Sequence, residues 1–253
     1  MLVIPIEDKL RTLRLYGMFQ CFHEQRESPD YAQLGFEERL SLMIDREITE
    51  QENRRLKSRL KRAKLRQQAC MENIDYRHPR GLDKSLMTSL GQCKWIKEHL
   101  NVLITGPCGT GKSFIGCALA HRACLQGYTA RYVRAGRMFE DIALARGDGR
   151  YLKLMNSFAK INLLIIDDWG LSGLTNQERQ DLLEIIEDRH NVQSTIIASQ
   201  FPVKHWHEII GNPTLADAIL DRLIHTAHTI NLKGESIRKK NAKTKIDFDG
   251  VLQ

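Results

Sequence analysis

Asn101-Val102-Leu103-Ile104-Thr105-Gly106-Pro107-Cys108-Gly109-Thr110-Gly111-Lys112-Ser113 is the stretch on which the reading of this chain turns. Its first five residues, NVLIT, are an apolar run of strand length. The next eight match G-x-x-x-x-G-K-[ST], and a helical stretch follows from Lys112 to Gln126. Strand, glycine-rich turn and helix start, in that order, are the context this motif requires. Glycines let a backbone wrap a phosphate without Cβ clashes. The turn's N–H groups and the helix N-terminus both favour an anion. Lys112 is placed to reach the β- and γ-phosphates of a nucleotide, and Ser113 to hold Mg²⁺. Residues Gly106, Pro107, Cys108, Gly109, Thr110, Gly111, Lys112 and Ser113 are thus the expected phosphate-binding loop, with ATP and Mg²⁺ as its expected cofactors.

Toward the C-terminus, apolar runs and helical stretches alternate. Ala130–Val133 is a second predicted strand, followed by helix from Ala135 to Lys160 with an interruption near Gly147–Gly149. Asn162–Asp167 (NLLIID) is a third strand, Thr175–Asn191 a helix and Ser194–Ser199 (STIIAS) a fourth strand. Short helices occupy Val203 to His225, and His228–Leu232 is a candidate last strand. This alternation implies an α/β fold with a parallel sheet and right-handed crossovers. The third and fourth runs are apolar throughout, as in strands buried on both faces.

Open parallel sheets bind ligands at the carboxyl ends of their strands. Gly106, Asp167 and Ser199 all fall at such ends. A buried strand that ends in two carboxylates is poor core design unless a cation sits there. Asp167 is the expected magnesium partner, through water or Ser113, and Asp168 the group that orients or deprotonates the attacking water. A strand-end turn or helix cap is the plain alternative for this pair. Ser199-Gln200 offers a polar group to sense the γ-phosphate or position the water, a simple turn being the alternative. His205, Trp206 and His207 lie in one short segment with no third ligand, which reads as packing rather than metal binding.

Upstream of the loop the chain reads as helical. Residues 8 to 26 form one predicted helix, Pro29 breaks it from the next, and residues 36 to 72 form one or two more. Arg77-His78-Pro79-Arg80-Gly81 is punctuated by Pro and Gly and marks the expected boundary. Two domains follow: a helical one over 1–76 and an ATPase domain over 77–253 with a basic C-terminal tail.

The charge is concentrated upstream as well. The chain carries a net +7, and eight basic residues with no acidic one fall between Asn53 and Arg66, so the remainder is close to neutral. They are Arg54, Arg55, Lys57, Arg59, Lys61, Arg62, Lys64 and Arg66. A solvated helix face or a partner-docking surface would also be basic, but an undiluted run is the electrostatic footprint of nucleic acid. Few aromatics interleave it, which favours backbone contacts over base readout. No apolar run approaches the roughly 20 residues that span a bilayer. The N-terminus lacks a signal-peptide pattern, and the six cysteines show no C-x-x-C pair, which together suit a reducing cytoplasm.

Five segments in fixed order carry a family resemblance. They are the loop with Cys108-Gly109-Thr110-Gly111, LLIIDDWG (Leu163–Gly170), Ala198-Ser199-Gln200-Phe201-Pro202, Leu215–Leu223, and Gly234-Glu235-Ser236-Ile237-Arg238. Over nearly the whole chain the sequence resembles the IstB family of AAA+ ATPases, helper proteins of bacterial insertion sequences that are similar to the helicase loader DnaC. The resemblance implies an AAA+ P-loop NTPase with a central parallel sheet, preceded by a small all-helical N-terminal domain. It implies that Arg222 is an arginine finger reaching a neighbouring subunit's nucleotide, and that Arg238 is a second sensor within its own subunit. From the residues alone, Arg222 would be a surface ion pair and Arg238 part of a solvated tail. The family has Asn where Gln200 stands and Tyr where Ile237 stands, so the first sensor is either Ser199 or Gln200. A finger acting in trans implies a homo-oligomer with ATP at subunit interfaces; the basic helices would set it on duplex DNA, and the resemblance implies that a transposase joins it. A helicase loader, and an ATP-switched DNA-binding assembly protein with negligible turnover, are the alternatives.

Overall fold

A computed structural model describes residues 5–225 and 227–237. The chain divides into two compact units, Met1–Ser58 and Arg59–Gln253.

The first unit holds α1 (Ile6–Thr12), α2 (Tyr16–Glu27), a 3₁₀ turn over Pro29–Gln33, and the start of α3 (Phe36–Ala63). One helix was expected over 8–26; the chain instead breaks it at Leu13–Leu15, where Arg14 takes a φ of 60°. The break lets α2 fold back so that Leu10, Cys21 and Met43 share one apolar cluster with Leu15, Met18, Phe19 and Phe22. The first turn of α2 has no side-chain cap of its own. Buried Glu47, from α3, supplies one by accepting from the backbone N–H groups of Gly17 (2.7 Å) and Met18 (3.3 Å). Gly17 is required at this crossing, since a Cβ there would lie 2.6 Å from the Arg46 carbonyl oxygen.

The second unit begins inside α3, ahead of the expected boundary at 76/77. Helix was expected to 72, but α3 ends at Ala63, and Lys64 at φ 50° turns the chain out of it. The following stretch packs onto the larger unit, which is why it belongs there. Ala63, Ala69 and Ile74 are buried, and Arg59 Nε donates to the Cys124 carbonyl at 2.9 Å. After a 3₁₀ turn at Met71–Asn73 come α4 (Lys84–Gly91), capped by Asp83, and α5 (Lys94–Lys97). Neither helix belongs to the strand–helix alternation read from the sequence.

The alternation itself is realised as β1 (Asn101–Thr105), α6 (Lys112–Leu125), β2 (Ala130–Arg134), α7 (Ala135–Gly147), α8 (Tyr151–Ala159), β3 (Leu163–Trp169), α9 (Asn176–Arg189), β4 (Ser194–Ser199), α10 (Trp206–Ile210), α11 (Pro213–Ile224) and β5 (Ala227–Asn231). The five strands are parallel in the order β2-β3-β4-β1-β5. β1 and β4 are buried along their whole length, as their apolar sequences require. Their register sets Thr105 beside Ser199, so the loop after β1 and the segment after β4 emerge together. β3 runs past its expected end at Asp167 to Trp169. Ile166 pairs Ile197 and Trp169 pairs Ser199, so β3 carries an extra residue, and Asp168 has a φ of 58° in that bulge. No helix among the described residues is long and apolar enough to cross a membrane.

Candidate nucleotide-binding site

The loop from Gly106 to Gly111 joins β1 to α6, as the motif predicts. Gly106 (φ 147°) and Gly111 (φ 95°) sit where a side chain is excluded twice over. The φ values disfavour any Cβ, and one at Gly106 would strike the Leu232 backbone, while one at Gly111 would strike the Arg80 guanidinium. Thr110 Oγ1 donates to the Pro107 carbonyl at 2.9 Å and closes the turn. Lys112 Nζ lies in its concavity, donating to the carbonyls of Gly106 (2.7 Å) and Pro107 (2.9 Å).

Two segments brace the loop from outside. Arg80, placed by the sequence in a linker, is buried and donates Nη1 to the Thr110 carbonyl at 2.7 Å and Nη2 to the Asp75 carbonyl at 3.0 Å. Burial lowers its pKa, against the opposing pull of Asp75 and Tyr76. The second segment is Gly234-Glu235-Ser236-Ile237, whose Ile237 N–H donates to the Gly109 carbonyl at 3.0 Å. Arg238, the next residue, lies outside the described residues.

A cavity of about 560 Å³ opens beside the loop, in the range of small-molecule sites. Lys112, Ser113, Asp168, Gln200, Ile237 and Arg66 are among its lining residues. Asp167 lies behind it, buried on β3. Its Oδ2 accepts from the Tyr132 hydroxyl at 2.5 Å, and its Oδ1 from the Asp168 N–H at 2.9 Å. Burial, then the Asp167 bond, pushes the Tyr132 pKa up, so that hydroxyl remains a donor. Ser199 and Gln200 are separated by the fold. Ser199 is buried, its hydroxyl donating to the Trp169 carbonyl (2.9 Å) and accepting from the Phe201 N–H (3.1 Å), while Gln200 faces the cavity.

The basic run is not a uniform surface. Arg66, expected at nucleic acid, lines the nucleotide cavity instead. Its Nη1 lies 3.7 Å from Asp167 Oδ2 and 3.5 Å from Asp168 Oδ2, because α3 has ended before it. A hydrogen bond with Tyr132 raises its pKa. Arg54 pairs with Glu47 at 2.9 Å and stacks over Tyr16, and Arg59 is held by the Cys124 carbonyl. Arg55, Lys57, Lys61, Arg62 and Lys64 are exposed. Arg222, on α11, donates Nη1 to the Ala218 carbonyl and pairs with Glu187 at 2.9 Å, away from the cavity of its own chain. Trp206 is fully buried, whereas His205 and His207 are half-exposed beside Glu208 (3.5 Å) and Asp217 (3.3 Å).

Sequence reasoning missed Tyr132, Arg80 and Arg66 as residues of this site. None carries a local signal, because each reaches it through tertiary packing.

The residues present suit a magnesium nucleotide. The loop offers N–H groups and one ammonium to phosphates, and one hydroxyl and one oriented carboxylate are available to a cation. Among the described residues no group of three His, Cys, Asp or Glu could hold a metal alone. Magnesium bound largely by phosphates and water needs no such cage. A five-stranded parallel sheet with this loop and this carboxylate pair defines an AAA+ P-loop protein. The same fold occurs in the DnaC helicase loader (TM-score 0.52, 16% identity, covering 64% of this chain and 96% of that one). It also occurs in replication initiator DnaA bound to AMPPCP and single-stranded DNA (TM-score 0.55, 17% identity, covering 73% of this chain and 56% of that one). The model of the IstB-like ATP binding proteins matches residues 8–245, and the chain belongs to that family. It is 51% identical over 243 residues, 96% of this chain and 99% of the relative, to a putative insertion sequence ATP-binding protein, y4pL, of Sinorhizobium fredii.

Proposed function

We propose that this protein is a cytoplasmic, ATP-dependent transposition helper that oligomerises on duplex DNA, prepares the target site, and recruits or regulates a transposase, with ATP hydrolysis driving disassembly. One observation carries the nucleotide part: Lys112, Ser113, Asp168 and Gln200 converge on a single cavity with Asp167 directly behind. The transposition part rests on family membership and on the insertion-sequence name of a relative that the chain matches over nearly its full length.

In this reading Lys112 and the loop N–H groups hold the phosphates. Ser113 and Asp167 would hold Mg²⁺, which screens phosphate charge when bound. Asp168, turned out on its bulge, orients the attacking water. Gln200 is the better first sensor, since the Ser199 hydroxyl is already engaged on both sides. Arg222 acts in a neighbouring subunit. Its pair with Glu187, a half-exposed carboxylate, is of the weak surface kind and is readily exchanged. Arg238 serves as the second sensor, an assignment supported by the bond of adjacent Ile237 to the loop. Lys61, Arg62 and Lys64, with Arg55 and Lys57, contact the DNA backbone.

Particle size on duplex and on single-stranded DNA, with ATP and with ADP, tests the reading. Large ATP-dependent assemblies on duplex are expected. ATP-dependent preference for single strands would replace the proposal with a helicase-loading role.

A further inference from the structure

Arg66 is set at the two carboxylates on which the nucleotide site depends. Its Nη1 stands 3.7 Å from Asp167 Oδ2 and 3.5 Å from Asp168 Oδ2. The Tyr132 hydroxyl joins the same oxygen of Asp167 and is also hydrogen-bonded to Arg66. The other oxygen of Asp167 is occupied by the Asp168 N–H. The face of Asp167 toward Arg66 is therefore already neutralised by a guanidinium.

A divalent cation on these carboxylates and a guanidinium within 4 Å of both repel one another. Both satisfy the same negative charge, so each weakens the other's hold. Arg66 can yield. Its side chain is 41% exposed, and it follows the end of α3 at Ala63 and the left-handed Lys64, so it is not locked into a helix. One nitrogen, Nη1, faces both carboxylates here, so the contact is one of charge rather than of the two-pronged fork, and a lysine ammonium can keep part of it.

We propose that Arg66 is a positioning residue of the nucleotide site, a tethered cation that competes with magnesium for Asp167 and Asp168 and so sets how much magnesium the site requires. The inference rests on the reading of Asp167 as the magnesium partner of a bound nucleotide.

The test is binding of a fluorescent ATP analogue to the full chain, titrated with magnesium and repeated in EDTA. The neutral variants R66Q and R66M should lower the magnesium midpoint by about threefold or more, the size expected on removing one part-exposed cation from a carboxylate. Each midpoint is read between that variant's own plateaus in EDTA and in saturating magnesium, so that a general change in affinity is separated from a change in magnesium requirement. R66M keeps the length and stem of the side chain and stands in should R66Q fold poorly. R66K, which retains the charge, should stay nearer to the wild-type midpoint. An unchanged midpoint in both neutral variants overturns the proposal. A midpoint raised in both neutral variants also overturns it, by making Arg66 a support of the magnesium site rather than its competitor. A wild-type protein that binds the analogue with no response to magnesium would remove the underlying reading of Asp167 instead.

Discussion

The Tyr132 hydroxyl on β2 donates to Asp167 on β3 at 2.5 Å, across a parallel pair whose register sets Arg134 beside Asp167. This bond fixes the carboxylate proposed above to hold magnesium. Removing the outer hydrogen bond of a ligating group typically costs about 10–100-fold in metal affinity or activity. Tyr132→Phe should lower ATP turnover by about tenfold while the chain stays folded, since only the hydroxyl is lost. Steady-state turnover beside a thermal melt checks it, and full turnover would make the bond structural only.

Asp168 is partly exposed at the cavity, with its carboxylate separated from the core by the bulge of β3. Asp168→Asn preserves its shape. The loss in ATP turnover should be on the order of 10²–10⁴-fold, the range for a positioned general base. ATP-dependent assembly on duplex should survive. Retained turnover would move the water-positioning role to another group, and a wild type with no turnover would favour the ATP-switch alternative.

The surface shows which members of the basic run to change. Arg54 and Arg59 are tied to Glu47 and to the Cys124 carbonyl, whereas Arg55, Lys57, Lys61 and Lys64 are exposed. Replacing those four with Ala should weaken duplex binding on every sequence and flatten the slope of log affinity against log salt by up to about 3.6, about 0.9 for each phosphate no longer neutralised. Fluorescence anisotropy at a series of salt concentrations measures this. An unaltered slope would leave the segment with no role at DNA.

Glu47 makes the first unit acid-sensitive. Burial raises its pKa, but Gln51, the N–H groups of Met18 and Gly17, and Arg54 outweigh that and hold it below its ordinary 4.5. A carboxyl depressed on folding contributes stability above its unfolded pKa and loses it as pH falls through the folded value. Protection of the Gly17 and Met18 amides from hydrogen exchange should therefore drop below about pH 4.5 in the wild type. In Glu47→Gln it should be weaker at neutral pH and nearly flat with pH. Gly17→Ala, which forces a Cβ into the α3 backbone, should destabilise the unit by about 1–3 kcal/mol.

Much of the nucleotide site is legible because it is local. Eight consecutive residues make the loop, and the strand before it and helix after it are neighbours in sequence. The buried run LLIID places Asp167 for the same reason, since continuous apolarity and a terminal carboxylate are both read within one segment. The division of the chain was harder. The sequence puts the boundary at the Pro- and Gly-rich stretch 77–81, while the units meet at 58/59, because burial of Ala63, Ala69 and Ile74 rather than punctuation decides what belongs to the larger body.

The sequence by itself determined the parallel sheet, the phosphate loop and the carboxylate pair, because strand periodicity and the conformational freedom of glycine act over a few adjacent residues. Only the tertiary structure decided that Arg80 braces the loop, that Tyr132 orients Asp167, that Gln200 rather than Ser199 faces the cavity, and that Arg66 leaves the basic run for the two carboxylates. Those contacts join residues that are distant in sequence, Arg80 and Thr110 by 30 positions and Arg66 and Asp167 by far more. They depend on strand register, on where α3 ends and on a single bulge, and none of these is written in the residues that make the contact.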